Sequence, residues 1–381
     1  MPKYLPKNRK LLVISDTGMF LNKDGSYSAF SPVVKELEYL LQEFDEISWI
    51  GFKNEINNNS FVKVNNNRIK VILLKQVGGK KIKDKLKVIL NYPIMSFIIL
   101  KNILKHKYIH SRAPSNPSIL VVFFSYIFKN KIFWHKYAGS WVDDAPVFYK
   151  AQRFLLNNLT NNSIVTINGN YSSKDNILPF ENPCLDKDDR DFGKDVIKNK
   201  KIKGKINFCF VGALTNNKGV EDIIQSFKKI SNHKIGCIHF VGDSSQKQNY
   251  IKLTEELMYD VVFHGFLPKD EIRKVYIKSH FILLPSKSEG FPKVIGEAMN
   301  YGCIPIVSNI SCISEYVIDN MNGYLIEKPY LVNTLKNINK ALEINNVEFL
   351  RIINHNFKVS KKFTYKYYNY RVINDIFKFN I

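Results

Sequence analysis

The feature that most constrains this chain is a repeated alternation of short apolar runs with helix-like patterns. The runs lie at 11–15, 47–51, 70–74, 108–111, 131–136 and 163–167, and the plan recurs at 206–211, 236–241, 261–264, 280–284, 304–308 and 324–326. A run this short and this apolar suits a strand covered on both faces. Strands that alternate with helices form parallel sheets joined by crossovers, so two such series predict two Rossmann-like domains. Helix starts are legible as well. Ser31 is placed to cap a helix with Pro32 at its first position and Val33, Leu37, Leu40 and Phe44 on one face, and a second helix is predicted from near Ser115 through Tyr126.

Length supports the division, because 381 residues exceed what one hydrophobic core usually holds, and 45% apolar residues suffice for two. The expected boundaries are an N-terminal domain at 1–185, a linker at 186–205, a C-terminal domain at 206–360 and a terminal helix at 361–381. The linker is placed where the chain is charged, poor in large apolar residues and without periodicity. The cysteines Cys184, Cys209, Cys237, Cys303 and Cys312 lack paired metal-ligand spacing and read as buried reduced thiols. No Asp-x-Asp cluster ends a strand, so no metal is expected. The basic stretch 1–10 precedes an apolar run, 11–14, that is far too short for a signal peptide. The runs 88–104 and 119–128 fall short of the roughly 18 to 20 residues of a spanning helix. A cytoplasmic location is the expectation, with peripheral placement at the inner face of the plasma membrane as its extension.

The formal net charge of +22 calls for a polyanionic partner or surface, although an AT-rich coding bias toward Asn, Ile and Lys explains part of it. The segment 71–110 carries nine lysines and one acid, Asp84, interleaved with apolar residues. An amphipathic helix pair with solvated lysines and docking on an anionic membrane surface through 71–112 account for it equally well. No helix-turn-helix, zinc-ligand or RNP-like pattern is present, and nucleic acid is not an expected partner.

Function is concentrated in one stretch. The apolar run 281–284 ends at Pro285, Glu289 follows on a loop, Pro292 is suited to open a helix, and Glu297 lies inside that helix. A loop feeding a helix N-terminus presents unpaired N–H groups and the positive end of the helix dipole, which suit a diphosphate. Carboxylates beside it accept hydrogen bonds from ribose and sugar hydroxyls. Lys218 and Gly219 repeat the device after the run 206–211, ahead of a helix with Val220, Ile223, Ile224, Phe227 and Ile230 on one face.

These residues, with Phe210-Val211-Gly212, Phe240-Val241-Gly242-Asp243, Val262-Phe263-His264-Gly265, Gly302-Cys303-Ile304-Pro305 and Asn322-Gly323-Tyr324-Leu325, resemble the signature of family 4 of the retaining glycosyltransferases. That group has the GT-B fold and includes many bacterial polysaccharide enzymes; the resemblance is strong over 206–326 and weak before it. It implies an α/β architecture of two Rossmann-like domains facing a cleft, with the last helix crossing back to the N-terminal domain. It implies a nucleotide-diphosphate sugar as donor, a UDP-sugar or GDP-sugar, with no metal and no further cofactor. The acceptor it implies is a glycan or lipid-linked glycan of capsule, O-antigen or lipopolysaccharide synthesis. By the same resemblance Lys218 holds the leaving diphosphate and Glu289 contacts the donor sugar, these two being the catalytic pair. Glu297 binds the ribose, and Gly212, Gly290, Phe291, Lys293 and Val294 complete the donor site, the last three through main-chain amides.

The chain departs from the family pattern at two points. Ala213 stands where an arginine is usual, and the best register puts Ala138 at the position of an N-domain histidine, leaving His135 as a strand or core residue. The loop 16–31, with Gly18 and Gly25, is expected to close over the donor. A catalytically silent subunit of the same fold, motivated by Ala213, and a nucleic-acid-binding protein, motivated by charge and aromatic content, are the rival readings.

Overall fold

The computed structural model describes residues 9–57, 60–77, 82–142, 144–159 and 163–379, with backbone only at 82–86. It divides into two compact units, Met1–Phe180 with Tyr368–Ile381, and Glu181–Tyr367.

The first unit runs β1 (Lys10–Leu21), β2 (Tyr27–Phe30), α1 (Ser31–Leu40), β3 (Glu46–Asn54), β4 (Phe61–Lys63), β5 (Ile69–Leu74), α2 (Ile82–Lys105), β6 (Tyr108–Ala113), α3 (Asn116–Ile127), β7 (Ile132–Tyr137), α4 (Val147–Asn157), β8 (Ser163–Ile167) and β9 (Ile177–Pro179). Seven of these strands form a parallel sheet in the order β5-β3-β1-β6-β7-β8-β9. The antiparallel β2 and β4 extend it beside the far end of β1. Strand β1 is apolar and fully buried over Leu11, Leu12, Val13 and Ile14, because helices cover both faces of the sheet there. Helix α3 begins as its sequence predicts, with the Ser115 side chain accepting from the Ser118 amide in a reciprocal capping box. Ser31 does not cap α1; it is the first helical residue, and Phe30 precedes it.

Two further sequence expectations are corrected in this unit. The stretch 16–31 is not an open loop, since β1 continues through it to Leu21, bulged between Ile14 and Gly18, and turns back as β2. Helix α2 is also longer than its apolar run. It passes through Pro93, and its Lys87–Lys105 segment is long and apolar enough to cross a membrane by length and composition. Of the lysines in the basic segment 71–110, Lys80, Lys81 and the side chains of Lys83 and Lys85 lie outside the described residues.

The second unit runs α5 (Lys187–Asn199), β10 (Ile206–Val211), α6 (Val220–Lys228), β11 (Ile235–Val241), α7 (Lys247–Thr254), β12 (Val261–Gly265), α8 (Lys269–Lys278), β13 (Phe281–Leu284), α9 (Lys293–Asn300), β14 (Ile304–Ser308), β15 (Tyr324–Ile326), α10 (Tyr330–Glu343) and α11 (Asn346–Val359). Its sheet is parallel in the order β12-β11-β10-β13-β14-β15. Phe208, Phe210, Phe281, Leu283, Ile304 and Ile306 fill its core.

The stretch 186–205, expected to be a linker, is largely helix α5. Its reason for folding is polar and therefore invisible to apolar periodicity. Asp186 and Asp189 form a capping box, Asp189 accepts from the Tyr301 hydroxyl at 2.9 Å, and Arg190 donates to Asn300 Oδ1 at 2.7 Å. Gly193 permits the contact, as a Cβ there would sit 2.5 Å from Asn300. The five cysteines are free, and Cys237 alone among them is not buried.

The chain ends with α12 (Tyr365–Arg371) and a π-helical turn, Val372–Phe377. Tyr368, Val372, Ile376 and Phe377 join the core of the first unit with Trp49 and Trp134. Beside them Glu36, almost fully buried, accepts from Arg112 at 2.6 Å, from Lys136 at 3.0 Å and from the Tyr368 hydroxyl at 2.6 Å.

Candidate functional site

In the second unit the order of strands reverses between β10 and β13. The loops that leave the carboxyl ends of two such strands part to opposite sides, and the crevice they leave is where open α/β sheets bind ligands. Lys218 lies on the loop after β10 and Glu289 on the loop after β13, so sheet topology places both at this point.

The two loops are tied to each other. The Lys287 amide donates to Asn217 O at 2.8 Å, and its ammonium donates to Asn216 Oδ1 at 2.7 Å. Lys218 Nζ lies 2.6 Å from Glu289 Oε1, with the glutamate side chain 9% exposed and the lysine side chain 28%. Gly219 makes the approach feasible. Its φ is +75°, and a Cβ on it would sit 2.3 Å from the Pro285 carbonyl oxygen. Gly242, on the loop after β11, is under the same constraint, because a Cβ there would sit 1.8 Å from Gly212 O.

Gly212 follows β10 and donates its amide to Val241 O at 3.0 Å. Gly290 is fixed from behind, since its carbonyl accepts from Ser311 Oγ at 2.8 Å. Helix α9 opens at Lys293, one residue later than the sequence suggests, with Pro292 at the cap. The Ile295 amide returns to Pro292 O, whereas helix geometry leaves the amides of Lys293 and Val294 without intrahelical acceptors. The side chain of Phe291 turns inward against Tyr316 and Phe363, so only its main chain is available to a ligand.

Glu297 belongs to a different set of contacts. Its Oε2 accepts from the Tyr276 hydroxyl at 3.2 Å. Burial pushes its carboxyl above the ordinary glutamate range, while Lys269, the Tyr276 hydroxyl and Lys293 pull the other way. Lys293 thus serves Glu297 electrostatically along the same helix. The structure therefore brings Lys218 and Glu289 into direct contact and holds Gly212, Gly290, Phe291, Lys293 and Val294 on the loops and helix end around them. Tyr276, Lys287 and Ser311 were not foreseen, and no local pattern in one sequence marks them. His135 is a core residue on β7. It is fully buried, with Ser111 Oγ 2.7 Å from Nδ1, and burial pushes its pKa down to about 3. Among the described residues no three His, Cys, Asp or Glu side chains converge to hold a metal ion.

Residues 191–358, which contain this whole assembly, match the family described as glycosyl transferases group 1. Over 298 residues the chain is 30% identical to an uncharacterised glycosyltransferase of Methanocaldococcus jannaschii, covering 76% of this chain and 68% of that protein. The chain belongs to the group 1 glycosyltransferases. A lipopolysaccharide 1,2-N-acetylglucosaminetransferase of Salmonella typhimurium is 28% identical to this glycosyltransferase over 145 residues, 35% of this chain and 38% of that protein. Among solved structures, Anabaena HepE in complex with UDP and glucose superposes with a TM-score of 0.67 at 14% identity, covering 98% of this chain and all of that one. The fold of this glycosyltransferase is GT-B, with two Rossmann-like units.

Proposed function

We propose that this glycosyltransferase moves a sugar, with retention, from a nucleotide-diphosphate donor to a glycan or lipid-linked glycan of bacterial surface polysaccharide. The observation that carries the reading is the Lys218–Glu289 pair of 2.6 Å at the strand-order reversal, next to the free amides of α9. Lys218 and those amides supply positive charge where a departing diphosphate gathers negative charge. Glu289 faces the sugar and Glu297 the ribose. In the step proposed, the bond from the anomeric carbon to the diphosphate oxygen breaks. The acceptor oxygen bonds to that carbon on the same face, and its proton passes to the departing phosphate oxygen. That route needs no base from the first unit, which agrees with a buried His135. The positive charge is assigned to protein groups, so a metal ion is not part of the proposal. The relatives of surface-polysaccharide type support the acceptor class.

Calorimetric titration with UDP, GDP and ADP tests the reading. One diphosphate is expected to bind wild type, and Lys218→Ala is expected to weaken it. Binding of none of the three would favour the silent subunit that Ala213 suggests.

A further inference from the structure

Helix α2 has two apolar faces, and only one is used. Met95, Ile99 and Ile103 are buried against Leu12, Ile14, Ile50 and Phe133 of the first unit. On the other side Leu90, Ile94, Phe97 and Leu104, spaced by four, three and seven residues, form one stripe along the helix. Each of these four side chains is 59% to 75% exposed. The layer continues through α3 and α4, joined by Tyr92 Oη to Asn116 Oδ1 at 3.4 Å and by Tyr126 Oη to Asn158 O at 3.2 Å. Ile127 and Phe154, also exposed, extend the apolar surface across it. A contiguous apolar surface of this kind on a folded unit marks a binding face.

Its charge says what it binds. Between Asp84 and Asp143 the sequence has nine lysines and arginines and no aspartate or glutamate. Arg112 and Lys136 are turned inward to Glu36, whereas Lys87, Lys101, Lys105, Lys107 and Lys129 are exposed. Lys101 falls within the stripe, and Lys87 and Lys105 flank it. Apolar side chains bordered by lysines, with no acid among them, complement an anionic lipid surface. A second copy of the chain would set like charges against each other.

We propose that the α2–α3–α4 face docks, in the plane of the interface, on a bilayer containing anionic phospholipid. The helix does not span: crossing would pull Met95, Ile99 and Ile103 out of the core. The inference is independent of the sugar-transfer reading.

Sedimentation of the full chain with phosphatidylcholine vesicles, with and without phosphatidylglycerol, tests it. Binding is expected only with phosphatidylglycerol, weakening as salt rises. Lys101→Glu and Lys105→Glu are each expected to lower it about fivefold, the factor equivalent to ~1 kcal/mol per basic residue near the surface. Leu90→Ser combined with Phe97→Ser is expected to lower it by at least about tenfold at an unchanged unfolding midpoint. Should that variant unfold, Phe97→Trp decides: brominated lipid quenches a tryptophan that enters the bilayer. The proposal is overturned by absence of binding at low salt, by binding indifferent to lipid charge, or by an unquenched Trp at position 97. It is equally overturned if the wild type is a dimer that the double serine variant dissociates, since the face then belongs to a second copy.

Discussion

The two units share a plan and use it in opposite ways. Both sheets place their first strand centrally and reverse order beside it, at β1–β6 in the first unit and at β10–β13 in the second. In the second unit the chain leaves β10 and β13 through tight loops that feed helices, and the charges gathered there, Lys218 and Glu289, keep partial access to solvent. In the first unit β1 does not stop at the reversal; it bulges and runs on to Leu21, pairing with β2. The charges near the ends of β6 and β7 are closed in instead, with Glu36 between Arg112 and Lys136 under Tyr368. The same topology therefore yields a ligand crevice or a structural clasp, depending on the segment that leaves each strand end, and the loops rather than the sheet carry the function.

The sharpest way to break this contrast is to remove one charge from each pair. Glu36→Ala removes the buried carboxylate that Arg112, Lys136 and the Tyr368 hydroxyl share, and is expected to cost about 3–5 kcal/mol in urea unfolding. A loss below ~1 kcal/mol would show that the clasp is not closed. Lys218→Ala and Glu289→Ala are expected to do the reverse. Their pair is less enclosed than the Glu36 clasp, so stability should fall by about 1–3 kcal/mol, while turnover should fall by about 10²–10³. Near wild-type turnover in both variants would remove the site from the second unit.

An effect shared by both units is the titration of buried histidines. Burial holds His135 of the first unit at about 3, and His239 and His280 of the second at about 4. Each is depressed below the unfolded value of about 6.5, so the unfolded chain takes up the proton first. Their contribution to stability is complete above pH 6.5 and is lost as pH falls toward 4. Thermal scans across that window are expected to show a steady fall in midpoint, and a flat profile would mean that these rings titrate normally in the fold.

Legibility from sequence follows burial rather than the division into units. The runs 163–167, 304–308 and 324–326 coincide with β8, β14 and β15, because largely buried strands are continuous apolar words. The three- and four-residue strands β2, β4 and β9 carry no such word, and α5 is held by Asp189 and Arg190 rather than by an apolar stripe. The site residues were legible as two loop–helix devices. That Lys218 touches Glu289, 71 residues on, was not, since the contact depends on sheet order rather than on any local pattern. Tyr276 escaped for the same reason: it reaches Glu297 across two elements.

The subtlest comparison lies within the second unit, between the lysine that is engaged and the one beside it. Ala213 follows Gly212 where a second cation is usual, and Lys293 is the candidate substitute at the start of α9. A cation there opposes the helix dipole unless an anion is near. Glu297 is one such anion, acting four residues along the same helix. The lysine is therefore explained without a diphosphate, and its effect on catalysis should be the smallest of the set. If it nonetheless shares the leaving-group charge, Lys293→Ala is expected to lower kcat by about tenfold, well beyond any rise in donor KM. Ala213→Arg on that background should then recover part of the loss. An unchanged kcat in Lys293→Ala would leave the diphosphate to Lys218 and the α9 amides alone. Lys293 would then be the partner of Glu297, and a raised donor KM without a change in kcat would be its signature.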